Sequence, residues 1–409
     1  MTTATQPAAP GEATPPEPES TRKLLSMRLA QLGSARVAFV LALIWIIFQS
    51  QNDRFLTSFN LTNLVLQIAA VGTISIGVVL VLLLGEIDLS VGAVSGLAAA
   101  VMAVLNVKHG WGPVPAIMAG LAVGAVIGLM NGFFVTKFAI PSFVVTLAGL
   151  LAWQGALLKV LGNTGTVNLS DETIVGLTGT FYGDVFGWIL VVIVVGAYAA
   201  SGYLERARRA RAGLPPPNLT AFLVRLVLVA AGTIATVLVL TSDRGIPLAG
   251  LILVGLCAIF VFLTTRTTFG RHLFAVGGNA EAARRVGIRV NRVRMTVFVL
   301  ASTMAAAGGM LAASRLFAVN QGSGGSDLLL LAIAGPVIAG TSLFGGRGSV
   351  WHALLGALVI GSISNGMDLL ALESSVKYMI TGAVLLVAVV IDAVIKTQRE
   401  RAGASLRYS

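Results

Sequence analysis

The stretch TNLVLQIAAVGTISIGVVLVLLL, residues 62–84, contains no ionisable side chain. At 1.5 Å per residue, a helix of that length is about 34 Å long and crosses a hydrocarbon core of roughly 30 Å. It lacks the period-two alternation of a barrel strand, and in lipid a helix is then what satisfies every backbone group. Outward from it, further apolar runs lie near 35–50, 89–106, 114–136, 142–161, 186–204, 219–240, 247–265, 295–313, 327–344, 350–370 and 375–395. The pattern predicts an all-α polytopic membrane protein with about twelve transmembrane helices and short loops.

The composition agrees. The chain of 409 residues is 56% apolar and 11% charged, with a mean hydropathy of +0.90, whereas soluble domains carry about 25% charged residues. So few charges cannot clothe the surface of a soluble protein of this size. The single cysteine, Cys257, excludes a disulfide scaffold, and His109, His272 and His352 are too scattered to form a metal site. No metal and no cofactor is expected. Residues 1–20, rich in Ala, Pro, Thr and Glu, carry no apolar stripe and no signal-peptide pattern. We divide the chain into a disordered, basic N-terminal tail (1–33), a transmembrane domain (34–396) and a C-terminal tail (397–409).

A formal charge of +11 would suggest nucleic acid in a soluble protein; here its distribution matters more. With twelve spans and a cytoplasmic N-terminus, the C-terminus is cytoplasmic too. Only Arg54, Lys108, Lys159, Arg244, Arg315 and Lys377 then fall outside, leaving 22 of the 28 basic residues inside. That is the positive-inside pattern, and no nucleic-acid partner is expected. The longest outer loop, 162–185, carries Asp171, Glu172 and Asp184 and no basic residue. Of the two basic inner loops, 205–218 with Pro215, Pro216 and Pro217 reads as topology marking.

The second basic loop, 266–294, contains TTFGRHLFAVGGNAEAARRVGI (267–288). Asn279 is a good N-cap, Glu281 complements the positive helix end, Ala282 and Ala283 favour helix, and Gly287 suits the C′ position. A two-turn helix over about 280–286 is predicted, with Arg284 and Arg285 free to meet acidic groups or lipid phosphates. Two readings stand: a docking element for a partner, or a helix resting on the membrane surface.

Within the apolar body several polar residues need an explanation. Glu86, Asp88 and Ser90 lie in GEIDLSVG (85–92) between the second and third spans. Either Gly85 and Gly92 let a broken helix bend beside a translocation path, or Asp88 or Ser90 caps the third helix in a tight turn; the cap is favoured. Trp153 and Gln154 suit a sugar, by ring stacking and amide hydrogen bonds, but interhelical packing is the simpler reading. Residues 124–132 and 356–366 both place Gly-Ala near the start and Asn-Gly at the end, through Asn131 and Asn365, a faint sign of two related halves. Gly120, Gly124 and Gly128 form a ridge for close helix packing. Pro336 should kink the tenth span and free a carbonyl, which makes that span a candidate gate. Asp368 and Glu373 are candidates for docking a soluble partner, and Asp392 is the main carboxylate inside a span.

Four motifs in order, GEIDLSVG (85–92), IPSFVVTLAG (140–149), GGNAEAAR to Gly287-Ile288 (277–288) and VIAGTSLFGGRGS (337–349), resemble the permease subunits of ribose, xylose and arabinose ABC importers. That family usually has Gly where this chain has Glu86. The length and the extra helix pair at 186–240 look most like the xylose branch. The resemblance implies a bacterial inner-membrane homodimer, two ATP-binding cassette ATPase subunits and an extracytoplasmic sugar-binding protein. It also implies an ATPase-coupling loop comprising Gly277, Gly278, Asn279, Glu281, Ala282, Ala283, Arg284, Arg285 and Gly287. Candidates for the translocation path or gate are Asp88, Ser90, Phe143, Trp153, Gln154, Pro336 and Asn365. No lysine completes a phosphate-binding P-loop, so the chain is expected to be a transport subunit rather than an enzyme. The alternatives are an ion-driven secondary transporter, which wants ionisable residues at mid-membrane, and a permease of the same family for another sugar.

Overall fold

The computed structural model describes residues 33–390 apart from 216, 385 and 388. The tails at 1–32 and 397–409, and Asp392 with the end of the last span, lie outside the described residues. In chain order the helices are α1 (Gly33–Gln51), α2 (Ser58–Leu83), α3 (Val91–Val107), α4 (Pro113–Lys137), α5 (Ser142–Leu161), α6 (Glu172–Gly179), α7 (Asp184–Arg211), α8 (Leu219–Thr241), α9 (Leu248–Arg266), α10 (Thr268–Gly278), α11 (Ala280–Arg285), α12 (Val290–Leu316), α13 (Ser326–Ile338) and α14 (Trp351–Leu369). Residues 374–384 are also helical. Each of the twelve apolar stretches thus carries a helix. Seven of the helices are long and apolar enough to cross a membrane by length and composition.

α2, apolar on every side, is buried along nearly its whole length, as such a helix must be. It packs against α12, α14, α9 and α13, while α12 also holds α4 and α3. The glycine ridge of α4 works as expected: a Cβ at Gly124 would stand 2.6 Å from the Ser302 carbonyl oxygen of α12. α7 and α8 form a peripheral pair with few buried side chains. They are joined to each other by the stacked rings of Tyr198 and Phe222, 5.9 Å apart, with Arg206 over the Phe222 ring.

Two small antiparallel ladders, unforeseen in the hydropathy pattern, tie one end of the bundle together. β1 (Thr166–Asn168) pairs with β4 (Ala318–Asn320), Val167 opposite Val319, and β2 (Phe181–Tyr182) pairs with β3 (Ile246–Pro247). All four strands come from connections that the charge pattern assigns to one side. The opposite end gathers residues 84–86, α10, α11 and 345–346, all assigned to the basic side.

The tenth apolar stretch ends as helix at Ile338, six residues before 344, and Pro336 lies in its last turn instead of kinking its middle. Proline has no N–H for the carbonyl four residues back, Ala332. Ser75 of α2 supplies the missing donor, its hydroxyl reaching the Ala332 oxygen at 3.0 Å. Ser75→Ala therefore strands a buried carbonyl and should cost about 1–3 kcal/mol. Pro336→Ala on top should recover part of that in a thermal-unfolding series; an unchanged melting point for Ser75→Ala contradicts the pairing.

Candidate functional site

After Leu83 the chain leaves its helix through Gly85, at φ +76°, and runs without helix until Val91. Ile87 N–H donates to Ser142 Oγ at 3.2 Å and Leu89 N–H to Thr146 Oγ1 at 3.1 Å. A Cβ at Gly149 would stand 3.4 Å from Ser90 Cβ. Positions 142, 146 and 149 form one stripe of α5, so the segment climbs about 10 Å along that helix at 1.5 Å per residue. Asn131, which donates to Ser90 Oγ at 3.1 Å, lies six residues from the end of α4 at Lys137, a similar depth. α3 therefore starts about 10 Å along α5 from its first residue, level with Asn131 of α4.

This geometry is a broken helix. Ser90 makes no side-chain cap bond to α3, and of the two capping candidates it is Asp88 that engages the start of the helix. Its Oδ1 accepts the Ser90 amide at 2.8 Å and the Ser90 hydroxyl at 2.6 Å. Irregular backbone at this depth is tolerated only when enclosed by protein, and the α5 hydroxyls enclose it. Asp88 is 4% exposed, and its Oδ2 has no partner among the described residues. Asp88→Ala removes the acceptor for two Ser90 donors, and uptake should fall severalfold at unchanged expression; normal uptake of radiolabelled solute would contradict the assignment.

Trp153 is half-buried on the same stripe of α5, with Nε1 buried and unpartnered among the described residues. Gln154 Nε2 donates to the Gln321 carbonyl at 3.0 Å, tying α5 to the turn that precedes α13. That turn lies deep: a Cβ at Gly92 would meet the Gly324 carbonyl at 2.8 Å and Leu329 Cβ at 3.1 Å. The N-terminal ends of α3 and α13 consequently meet inside the bundle. α13, with 13 residues, is about 20 Å long and stops short of a full span. Broken helices whose positive ends point into the protein are how membrane transporters build polar sites at depth.

Asp88, Ser90, Trp153 and Gln154 are thus gathered around one broken helix and the turn beside it. Phe143 is 52% exposed on the outside of α5 and joins none of them. Asn365 is occupied elsewhere, in a reciprocal amide pair with Asn60 at 2.7 and 3.0 Å. Ser142 and Thr146 were missed as candidates. Their signal was present as hydroxyls four apart beside Gly149 in an otherwise apolar stretch.

At the basic end α11 forms as expected, with Asn279 Oδ1 accepting the Ala282 amide at 2.9 Å and Gly287 at φ +86°. α10, unforeseen, precedes it because Thr267 caps its start and Gly270, Leu273 and Val276 share a buried face. Glu281 holds Arg284 at 3.0 Å and Arg285 at 3.4 Å on the exposed side of α11, while Ala283 is buried. Gly277 lies directly on the Leu83 carbonyl oxygen, leaving no room for a Cβ. The same oxygen accepts the Gly346 amide at 2.9 Å. Arg294 Nη2 meets Glu86 Oε1 at 3.0 Å. α10 is therefore fastened to the connection between α2 and α3 and to that between α13 and α14, and only Asn279 separates it from α11. No metal-binding group of His, Cys, Asp or Glu occurs among the described residues.

Residues 60–389 match the family described as "Branched-chain amino acid transport system / permease component". The chain belongs to this permease family. The permease is 36% identical to the xylose transport system permease protein of Escherichia coli K12 over 91% of this chain and 94% of that protein. It is 34% identical to the ribose import permease protein of Bacillus subtilis 168 (89% and 93%), and 27% identical to the fructose import permease protein of Rhizobium meliloti (83% and 79%). No solved structure matches it. With its apolar helices, this membership makes the permease a multi-pass protein of the cytoplasmic membrane.

Proposed function

We propose that the permease is the membrane subunit of an ABC importer for a neutral monosaccharide, D-xylose or a related pentose. It works as a homodimer with two ATP-binding cassette ATPase subunits and an extracytoplasmic sugar-binding protein. It has twelve spans, and both termini are cytoplasmic. The observation that carries the reading is the attachment of α10, which runs into α11 with only Asn279 between, to both helix breaks through Gly277, Leu83 and Gly346. A push on α11 from an ATPase reaches the broken helices without passing through a flexible loop. The names of the xylose, ribose and fructose relatives support a sugar as cargo.

In this mechanism ATP-driven closure of the ATPases moves α11, the bundle tilts, and a weakly held sugar passes between the two copies. Few charges line such a path, which suits a neutral polyol whose release tolerates no strong buried contact. Reconstitution tests it: uptake should require the partner ATPase and ATP and persist when ion gradients are collapsed. Uptake by this chain alone, driven by a proton gradient, would falsify the proposal. Thermal-shift screening of the binding protein against pentoses and hexoses identifies the sugar.

A further inference from the structure

A cavity of about 490 Å³ opens at the end of the bundle opposite α11, inside a single protomer. Its volume lies within the range of small-molecule sites, roughly 300–1,000 Å³. The floor includes Gly96 of α3 and Gly309 of α12, and Gln67, Arg315, Asn320 and Asp327 supply polar groups to the wall. Gly309 lies seven residues from the end of α12 at Leu316, so the floor is about 10 Å deep.

The polar groups are largely unspent. Arg315 and Gln67 make no hydrogen bond or ion pair among the described residues. Asn320 uses its Oδ1 on the Gly322 amide at 2.9 Å, leaving its amide donors free. Asp327 accepts Tyr378 Oη at 2.5 Å on Oδ2 and the Ser326 hydroxyl at 3.4 Å on Oδ1, and each carboxylate oxygen can accept one more hydrogen bond. Asp368 supplies a nearby negative charge, but the half-buried Arg315 guanidinium has no hydrogen-bond acceptor among the described residues, which is costly unless something binds it. Donors from Arg315 and Asn320, an acceptor on Asp327 and a two-way amide on Gln67 match alternating hydroxyls. Arg315 would reject cations and Asp327 anions, so the ligand should carry no net charge.

We infer that this cavity binds a neutral monosaccharide within each protomer, a site separate from the path between the two copies. It receives the sugar at the extracytoplasmic mouth before passage. The inference rests on the sugar-importer reading and is tested apart from it. Cys257 is the chain's one cysteine and is fully buried, so a cysteine introduced on the cavity wall as Ala312→Cys reports cleanly in full-length permease in lipid nanodiscs. D-xylose, D-ribose and D-fructose serve as probes, with no binding protein present. At three times the dissociation constant, maleimide labelling should slow about fourfold, the factor 1 + [L]/Kd. Adding Arg315→Met, or separately Gln67→Leu, which removes no native hydrogen bond, should abolish the protection. Labelling indifferent to all three sugars, in a permease whose complete assembly imports one of them with ATP, overturns the site and leaves the importer reading standing. Protection without any ATP-driven import supports the site and overturns that reading.

Discussion

Gly277→Ala should lower ATP-driven uptake at least about tenfold, whereas Gly278→Ala should leave it near the parent level. A Cβ at Gly277 would overlap the Leu83 carbonyl oxygen and stand 2.9 Å from the Gly346 amide nitrogen, while a Cβ at Gly278 meets nothing within 4 Å. Both obstacles at Gly277 are backbone, so no side-chain rotation relieves the clash. Overpacking of this kind costs about 1–3 kcal/mol. Losing the Gly346 to Leu83 hydrogen bond adds about 1 kcal/mol. Relief comes by lifting α10 and α11 away from the helix breaks, which uncouples them from whatever moves α11. Uptake and ATPase rates measured on the two variants decide it, and equal effects at both glycines would remove the junction from the coupling route.

Reversing one charge of the Glu86–Arg294 pair should be nearly as damaging, and reversing both should restore function. The two side chains, 14% and 27% exposed, lie 3.0 Å apart. Separating a fully buried pair costs about 3–5 kcal/mol, and partial exposure lowers this to about 2–3 kcal/mol. Glu86→Arg sets two guanidinium groups against each other, and Arg294→Glu two carboxylates. The double variant Glu86→Arg with Arg294→Glu recovers at least half of the loss if the pair acts as a contact. Thermal unfolding and uptake are the readouts, and additive losses would show that the residues act independently. The ion pair fixes α12 to the segment that leaves α2.

Much of this was legible in the residues. Uninterrupted apolar runs place twelve helices because lipid offers the backbone no other partner. Asn279, Glu281 and Gly287 mark α11 through local capping chemistry, which needs no distant contact. The ridge of Gly120, Gly124 and Gly128 announces close packing for the same reason. The carbonyl freed by Pro336 was also expected; its partner, Ser75, could not be named, because it is 257 residues away.

The broken helices were the main thing hydropathy misread. Apolar residues score alike whether coiled or extended, so 89–90 and 339–344 read as ends of spans, and α13 resembles a full span. Their true course depends on hydroxyls from elsewhere: Ser142 and Thr146 satisfy the Ile87 and Leu89 amides, and Gln154 holds the turn before α13. Asn365 shows the converse, since a polar residue that looks available is consumed by Asn60.

Solvent acts on each residue independently and therefore leaves its mark in local composition: membrane class, helix positions, charge asymmetry and the capped α11. Hydrogen bonds and close approaches between distant segments leave no such mark. The placement of Asp88 beside α5, the meeting of α3 and α13, the attachment of α10 to two helix breaks and the cavity around Arg315 all depend on which segments come to lie side by side.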